Sequence, residues 1–253
     1  MIRPEDLLRP EKAGLYCPIG DFYIDPTRKV DRAVITHGHA DHARSGHGAV
    51  LATPETLAIM AVRYAKNFTQ RQDAMECGRA TNINGVTIHF TPAGHILGSV
   101  QVTVEWKGLR ITCTGDYKRK SDPTCAPFEI SQSDVFITEA TFALPVFNQP
   151  DPEAEIDKLF TSLSMIDDRP HFVGAYSLGK TQRIIKMARN KGFDAPITIT
   201  PPAKELCELY QSYGVDLGPL RVLTPEDTEE DVGRLIVGPS TSMTDKTYNR
   251  LGS

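Results

Sequence analysis

Up to residue 145 the apolar positions recur mostly with a period of two. Val86-Thr87-Ile88-His89-Phe90-Thr91-Pro92 alternates apolar and polar, which predicts a strand with one face in a core. Ser99–Glu105 and Leu109–Thr114 read as two more strands, and Lys107-Gly108 between them predicts a hairpin turn. Ala33-Val34-Ile35-Thr36 and Asp134-Val135-Phe136-Ile137-Thr138 are short runs of the buried-strand kind. One helix is predicted here, Pro54–Ala65, with Thr53 as N-cap and Pro54 in its first turn. Beyond Pro145 the pattern changes. Helices at Pro152–Ser164, Lys180–Asn190 and Ala203–Tyr213 alternate with strands at His171–Tyr176, Ile197–Thr200 and Arg234–Val237. That order predicts a small parallel sheet, hence an α/β protein in two parts, 1–145 and 146–240, with a short tail at 241–253. No repeat or low-complexity tract interrupts it.

Composition narrows the picture modestly. A chain of 253 residues can bury one large core, or a core plus an inserted lobe. With 28 Lys and Arg against 32 Asp and Glu, the formal charge of −4 excludes a generally basic coat. Bound cations would still attract phosphate locally. The five cysteines show no C-x-x-C spacing and read as reduced thiols, with Cys113 on a core strand beside Ile111. Met1–Asp6 lacks the apolar stretch of a secretion signal and no segment reaches membrane-spanning length, so a cytoplasmic protein without a membrane partner is expected.

The chemistry is concentrated in His37-Gly38-His39-Ala40-Asp41-His42, directly after the Ala33–Thr36 strand. In such a loop His37 and His39 can face one side while Asp41 and His42 face another, which would serve two adjacent cations. Imidazole and carboxylate donors without thiolate suit Zn, Mn or Fe(II). Later strand ends add His95 in Ala93-Gly94-His95, Asp116 in Thr114-Gly115-Asp116, and Glu139 after Ile137-Thr138. Taken singly, His95 or Asp116 reads as an ordinary loop residue; the four strand-end acid or imidazole sites in chain order are what argue for a site. A His-rich surface loop without metal is the rival reading. His47 reads as a loop residue or a support for the site, His89 as a core imidazole, and His171 as a strand start without a motif.

The series H-x-H-x-D-H, A-G-H and T-G-D resembles the metallo-β-lactamase-fold hydrolases. Thr138-Glu139-Ala140-Thr141-Phe142 and Ala175-Tyr176-Ser177-Leu178-Gly179-Lys180 are similar to the β-CASP nuclease branch. Gly14–Cys17, Phe22–Thr27, Gly115–Arg119 and Asp122-Pro123-Thr124-Cys125 narrow the resemblance to the bacterial DNA ligase-associated exonucleases, from about residue 7 to residue 240. The resemblance implies an αββα-type metallo-β-lactamase sandwich over 1–145 and an inserted β-CASP α/β lobe over 146–240 that closes on the metal cleft. It implies two divalent ions, zinc first, with manganese or iron as alternatives. His37, His39, His95 and Asp116 would hold one; Asp41, His42 and Asp116 would hold the other. Asp41 would orient, Asp116 bridge, and Glu139 fix the tautomer of a ligating histidine. Members of the branch supply a further metal-binding histidine after the lobe. This sequence has none after His171, so the second position is expected to lack a ligand, in a truncated or naturally short chain with the C-terminal return missing.

Gly174–Thr181 also matches the P-loop pattern G-x-x-x-x-G-K-T. Neither later strand ends in an acid to hold Mg²⁺, and little chain remains for a nucleotide-binding sheet, which opposes an ATPase. Ser177, Gly179 and Lys180 instead read as a phosphate site at a helix start, where the resemblance puts the 5′-phosphate of a substrate strand. The function expected is metal-dependent phosphodiester hydrolysis by a DNA exonuclease acting from a 5′-phosphorylated end in DNA repair, alongside a ligase or helicase. DNA is favoured over RNA as the nucleic-acid partner. The alternatives are an RNA-processing nuclease of the same fold, a thioester or β-lactam metallohydrolase, and a non-catalytic binding module.

Overall fold

The structure, a computed structural model, describes residues 3–147, 149–228 and 230–240; the expected tail at 241–253 lies outside the described residues. The chain divides into one compact unit ending at Thr141 and another starting at Phe142, four residues before the expected boundary.

The first unit opens with helix α1 (Pro4–Leu7) and is built on two sheets. One has the order β1 (Arg9–Glu11), β2 (Gly14–Cys17), β3 (Phe22–Ile24), β4 (Arg32–Val34), β5 (Ala49–Ala52), β6 (Arg71–Ala74). Its first three strands meander antiparallel and β3 to β6 run parallel. Helix α2 (Pro54–Tyr64) makes the crossover from β5 to β6, and its Thr53 cap accepts the Thr56 N–H at 3.2 Å, as the sequence predicts. The other sheet has the order β11 (Val135–Ile137), β10 (Leu109–Cys113), β9 (Val100–Trp106), β8 (Val86–Pro92), β7 (Ala80–Ile83).

Alternation in β8 buries Val86, Ile88 and Phe90 against Phe22, Ile24, Val34 and Leu51 of the first sheet. Full burial of side chains of this size stabilises by about 1.5–3 kcal/mol each. The opposite face of the first sheet offers Ala33, Ile35, Val50 and Ala52 to Leu57 and Met60 of α2. On the outer face of the second sheet the buried Thr103 hydroxyl bonds Thr112 at 2.8 Å and Ser131 at 2.9 Å, so an irregular segment covers it. The β9–β10 hairpin pairs Trp106 with Leu109, and positive φ at Lys107 (48°) and Gly108 (82°) gives the tight turn the sequence predicts.

The second unit is a parallel sheet of four strands with the order β12 (His171–Gly174), β15 (Leu235–Gly238), β13 (Ile197–Ile199), β14 (Leu220–Val222). Helices α3 (Pro152–Met165), α4 (Lys180–Asn190) and α5 (Lys204–Ser212) connect it. Ile197, Ile199, Leu235, Ile236 and Val237 are buried, the continuous apolar pattern of strands covered on both faces. Expected boundaries moved where prolines intervene: Pro201–Ala203 is a 3₁₀ turn, so α5 starts only at Lys204. Strand β14 was not foreseen, because Leu220-Arg221-Val222 is too short to show a period. Among the described residues no helix is long and apolar enough to cross a membrane.

Candidate metal centre

Three strand ends of the first unit converge. The 37–42 loop follows β4, and the Thr36 carbonyl accepts the Val100 N–H at 2.9 Å, so the two sheets are tied beside it. His95 lies between β8 and β9, where the Ser99 hydroxyl accepts the His95 and Ile96 N–H groups at 3.0 and 3.2 Å. Asp116 follows β10 through Gly115, whose φ is 55°; a Cβ there would sit 2.5 Å from Thr36 Oγ1, so only glycine brings these two loops together. The Lys118 N–H then bonds the Ala93 carbonyl at 2.9 Å and clamps the His95 and Asp116 loops.

His37, His39, His95 and Asp116 form one group whose donor atoms all lie within 4.8 Å of one another. His37 Nε2 is 3.0 Å and His95 Nε2 3.2 Å from His39 Nδ1; both Nε2 atoms face Asp116 Oδ2, at 3.8 and 3.6 Å. Nitrogen donors about 2.0–2.1 Å from a tetrahedral ion stand about 3.3 Å apart. The donor set therefore fits a single divalent cation. Burial, and then the neighbouring imidazoles, holds His37 well below the ordinary histidine value; burial also lowers His95. Both rings are thus neutral, as ligands must be.

Asp116 also reaches the other side. Its Oδ1 is 3.3 Å from His42 Nε2, and His42 lies 3.7 Å from Asp41 Oδ2. Burial opposes protonation of His42, but hydrogen bonds to Asp116 and Asp25 push it up to about 10. His42 in turn holds the Asp116 carboxyl below its usual range. Asp41, His42 and Asp116 are brought together more loosely than the first group, with the Asp41 side chain 76% exposed.

Asp25 was not singled out from the sequence as a site residue, yet it organises both halves. Its Oδ1 accepts the Thr36 N–H at 2.8 Å; its Oδ2 accepts the Thr36 hydroxyl at 2.6 Å and His42 Nδ1–H at 2.8 Å. Because the Thr36 hydroxyl donates to Asp25, its oxygen is left to accept from His37 Nδ1, 3.0 Å away. The Nε2 lone pairs of both rings are thereby aimed at the centre. The available signal was an acid one residue past a strand, Ile24, that pairs in parallel with β4. Glu139 does something other than the expected tautomer fixing. Its carboxylate accepts the N–H groups of Tyr117 at 3.3 Å and Thr141 at 3.2 Å, bracing the loop that carries Asp116. Of the remaining histidines, His47 is buried with Nδ1 accepting the Val30 N–H, His89 faces Glu105 at 3.5 Å, and His171 bonds Ser162 at 2.9 Å. Burial pushes the Cys113 thiol up to about 12, so it is inert, as its strand position predicts.

In the second unit Ser177, Gly179 and Lys180 open α4. The Gly179 N–H is bonded to Gln182 Oε1 at 2.7 Å, and the Thr181 hydroxyl and N–H are bonded to the Tyr176 carbonyl. A nucleotide loop needs those groups turned toward phosphate and metal, so these bonds narrow any anion site to side chains. Lys180 is exposed, its ammonium 4.5 Å from the centre of the Tyr176 ring.

No family model matches the chain. It is similar to a "Probable DNA ligase" of Opitutus terrae, 27% identical over 246 residues, which cover 91% of this chain and 24% of the relative. It is similar also to the "Endoribonuclease ysh-1" of Neurospora crassa, 28% identical over 193 residues (62% of this chain, 22% of the relative). An "RNase J-like protein" of Methanocaldococcus jannaschii is 25% identical over 214 residues, 74% of this chain and 51% of the relative. The chain thus spans between about a quarter and a half of the lengths of these relatives. These relatives fit the metallo-β-lactamase-fold, β-CASP nuclease resemblance that the motifs of this chain carry.

Proposed function

We propose that the chain is a metal-dependent phosphodiester hydrolase, a nuclease that shortens DNA from a 5′-phosphorylated end. The observation that carries this reading is Asp116, whose two oxygens face two separate sets of donors, Oδ2 toward His37 and His95 and Oδ1 toward His42. Divalent cations held by these donors would neutralise charge at phosphorus and acidify the attacking water. The chain's own residues set the stage. Asp25 and Thr36 lock the ring orientations of His37 and His42. Glu139 braces the loop of Asp116. Asp41, exposed beside His42, orients the water and takes its proton. In the second unit the Lys180 ammonium and the Ser177 hydroxyl hold the terminal phosphate.

DNA is supported by the relative named as a probable DNA ligase, in which a segment similar to 91% of this chain makes up about a quarter of the polypeptide. A nuclease that trims ends and a ligase that joins them would act on the same substrate in repair. RNA is the second reading, favoured by the relatives named as an endoribonuclease and as RNase J-like. End-labelled single strands of DNA and RNA, each with a 5′-phosphate or a 5′-hydroxyl, incubated with Zn²⁺, Mn²⁺ or Fe²⁺, decide. Metal-dependent shortening of 5′-phosphorylated DNA is expected; shortening of RNA alone would overturn the DNA assignment, and cleavage of none would overturn the nuclease reading.

A further inference from the structure

Beside the 37–42 loop lies a pocket of about 390 Å³ lined by Thr27, Arg28, Lys29, Ala40, Arg44, Ser45 and Tyr64. Three cations line it and no carboxylate does. Among the described residues Arg28, Lys29 and Arg44 form no ion pair, in a chain whose formal charge is −4. All three are exposed, so water and salt screen their mutual repulsion, while an anion entering the concavity would be attracted by each of them. The larger cavity of the first unit, about 730 Å³ at the edge strands β6 and β7, is different. Its Arg71 and Arg79 are balanced by Asp73 and Glu76, with Arg71 bonded to Asp73 at 2.6 Å.

The pocket is joined to the metal centre at three points of the chain. Ala40 stands between His39 and Asp41, Arg44 lies two residues after His42, and Thr27 lies two residues after Asp25. Lys29 is exposed, with its stem lying over Gly46, where a Cβ would sit 2.6 Å from Lys29 Cε. Tyr64 adds an aromatic ring at the wall, with the Arg63 guanidinium 5.6 Å from the ring centre, and Thr27 and Ser45 add hydroxyl donors. Cations, hydroxyls and one ring are the components that hold a sugar–phosphate backbone together with a stacked base.

We propose that Arg28, Lys29 and Arg44 form a subsite for backbone phosphates of a single-stranded nucleic acid, one or more nucleotides away from the phosphodiester at the metal centre. This deepens the nuclease reading and rests on it for the identity of the strand. The test is binding of a fluorescent oligonucleotide to the full chain, by anisotropy across a salt series, for wild type and for the triple variant Arg28→Gln, Lys29→Gln, Arg44→Gln. Each phosphate of a single strand that is no longer neutralised flattens the slope of log K against log salt by about 0.7, so the triple variant should be about 2 units flatter and bind at least about 10-fold more weakly at low salt. Melting curves and metal content of the variant confirm its fold. The double variant Arg71→Gln, Arg79→Gln in the larger cavity should bind like wild type; an equal weakening there would show a general charge effect and overturn the subsite. An unchanged slope in the triple variant would overturn it too. Inorganic phosphate that saturates the pocket while strand binding ignores the triple variant would assign it to a free anion instead. A chain that binds strands through these cations but hydrolyses none keeps the subsite and loses the nuclease reading; hydrolysis with undiminished strand affinity in the triple variant does the reverse.

Discussion

Asp25→Asn changes one atom and should disarm two ligands. In the native site the carboxylate accepts three hydrogen bonds, from the Thr36 N–H at 2.8 Å, the Thr36 hydroxyl at 2.6 Å and His42 Nδ1–H at 2.8 Å. The asparagine carbonyl can keep the first, but its amide group is a donor where Oδ2 was an acceptor. One amide hydrogen then points at the Thr36 oxygen, which turns the hydroxyl proton toward His37 Nδ1. The other points at His42 Nδ1. Both rings are driven to the tautomer that carries its proton on Nε2, the atom that faces Asp116. Restoring the ligand form requires breaking at least one of the new bonds, each worth about 0.5–1.5 kcal/mol net. Together they amount to about 10–100-fold in metal affinity, the range seen when residues that orient metal ligands are changed. Competition for Zn²⁺ against a chromophoric chelator measures the affinity directly, without relying on catalysis. Melting with and without metal should show a smaller metal-induced stabilisation in the variant. Glu139→Gln, which touches backbone N–H groups rather than these rings, should lose less. Wild-type Zn²⁺ affinity in Asp25→Asn, within twofold, would refute the tautomer argument.

Three further outcomes are expected. Asp41→Asn should abolish strand cleavage while the ion held by His37, His39, His95 and Asp116 stays bound, because Asp41 lies outside that tight four-residue group; cleavage equal to wild type at matched metal would remove Asp41 from the mechanism. Lys180→Ala should slow cleavage of 5′-phosphorylated strands about 10–150-fold more than of 5′-hydroxyl strands, the worth of one charge-assisted hydrogen bond of about 1.5–3 kcal/mol, whereas Mg²⁺-dependent ATP binding by wild type would revive the nucleotide-loop reading. The buried Asp227 accepts bonds from Arg221 at 2.8 and 2.5 Å, and that guanidinium holds its carboxyl below the usual range. A depressed folded pKa contributes stability above the unfolded value of about 4 and loses it as pH falls through the folded one, so thermal stability should fall in that acid window and fall less steeply in Asp227→Asn.

Local pattern carried much of this protein. Alternation in β8, the Lys107-Gly108 turn, the Thr53 cap and the α4 span are all consequences of interactions within a dozen residues, and they stand where the sequence predicts. The six residues from His37 to His42 announce a metal centre for the same reason: most of its donors sit on one turn. What local pattern does not contain is the partner supplied by another strand. Asp25 becomes a positioning residue only because β3 pairs in parallel with β4, which sets it beside Thr36 and His42, 11 and 17 positions on. Glu139 was legible as an acid at a strand end, but only the neighbouring loop decided that it braces backbone rather than a ring. Arg28, Lys29 and Arg44 look like scattered surface charges in an acidic chain until two loops fold side by side. Residue types and short periods fix which chemistry is available, whereas pairing between distant strands, set by the burial of a shared core, decides which groups meet.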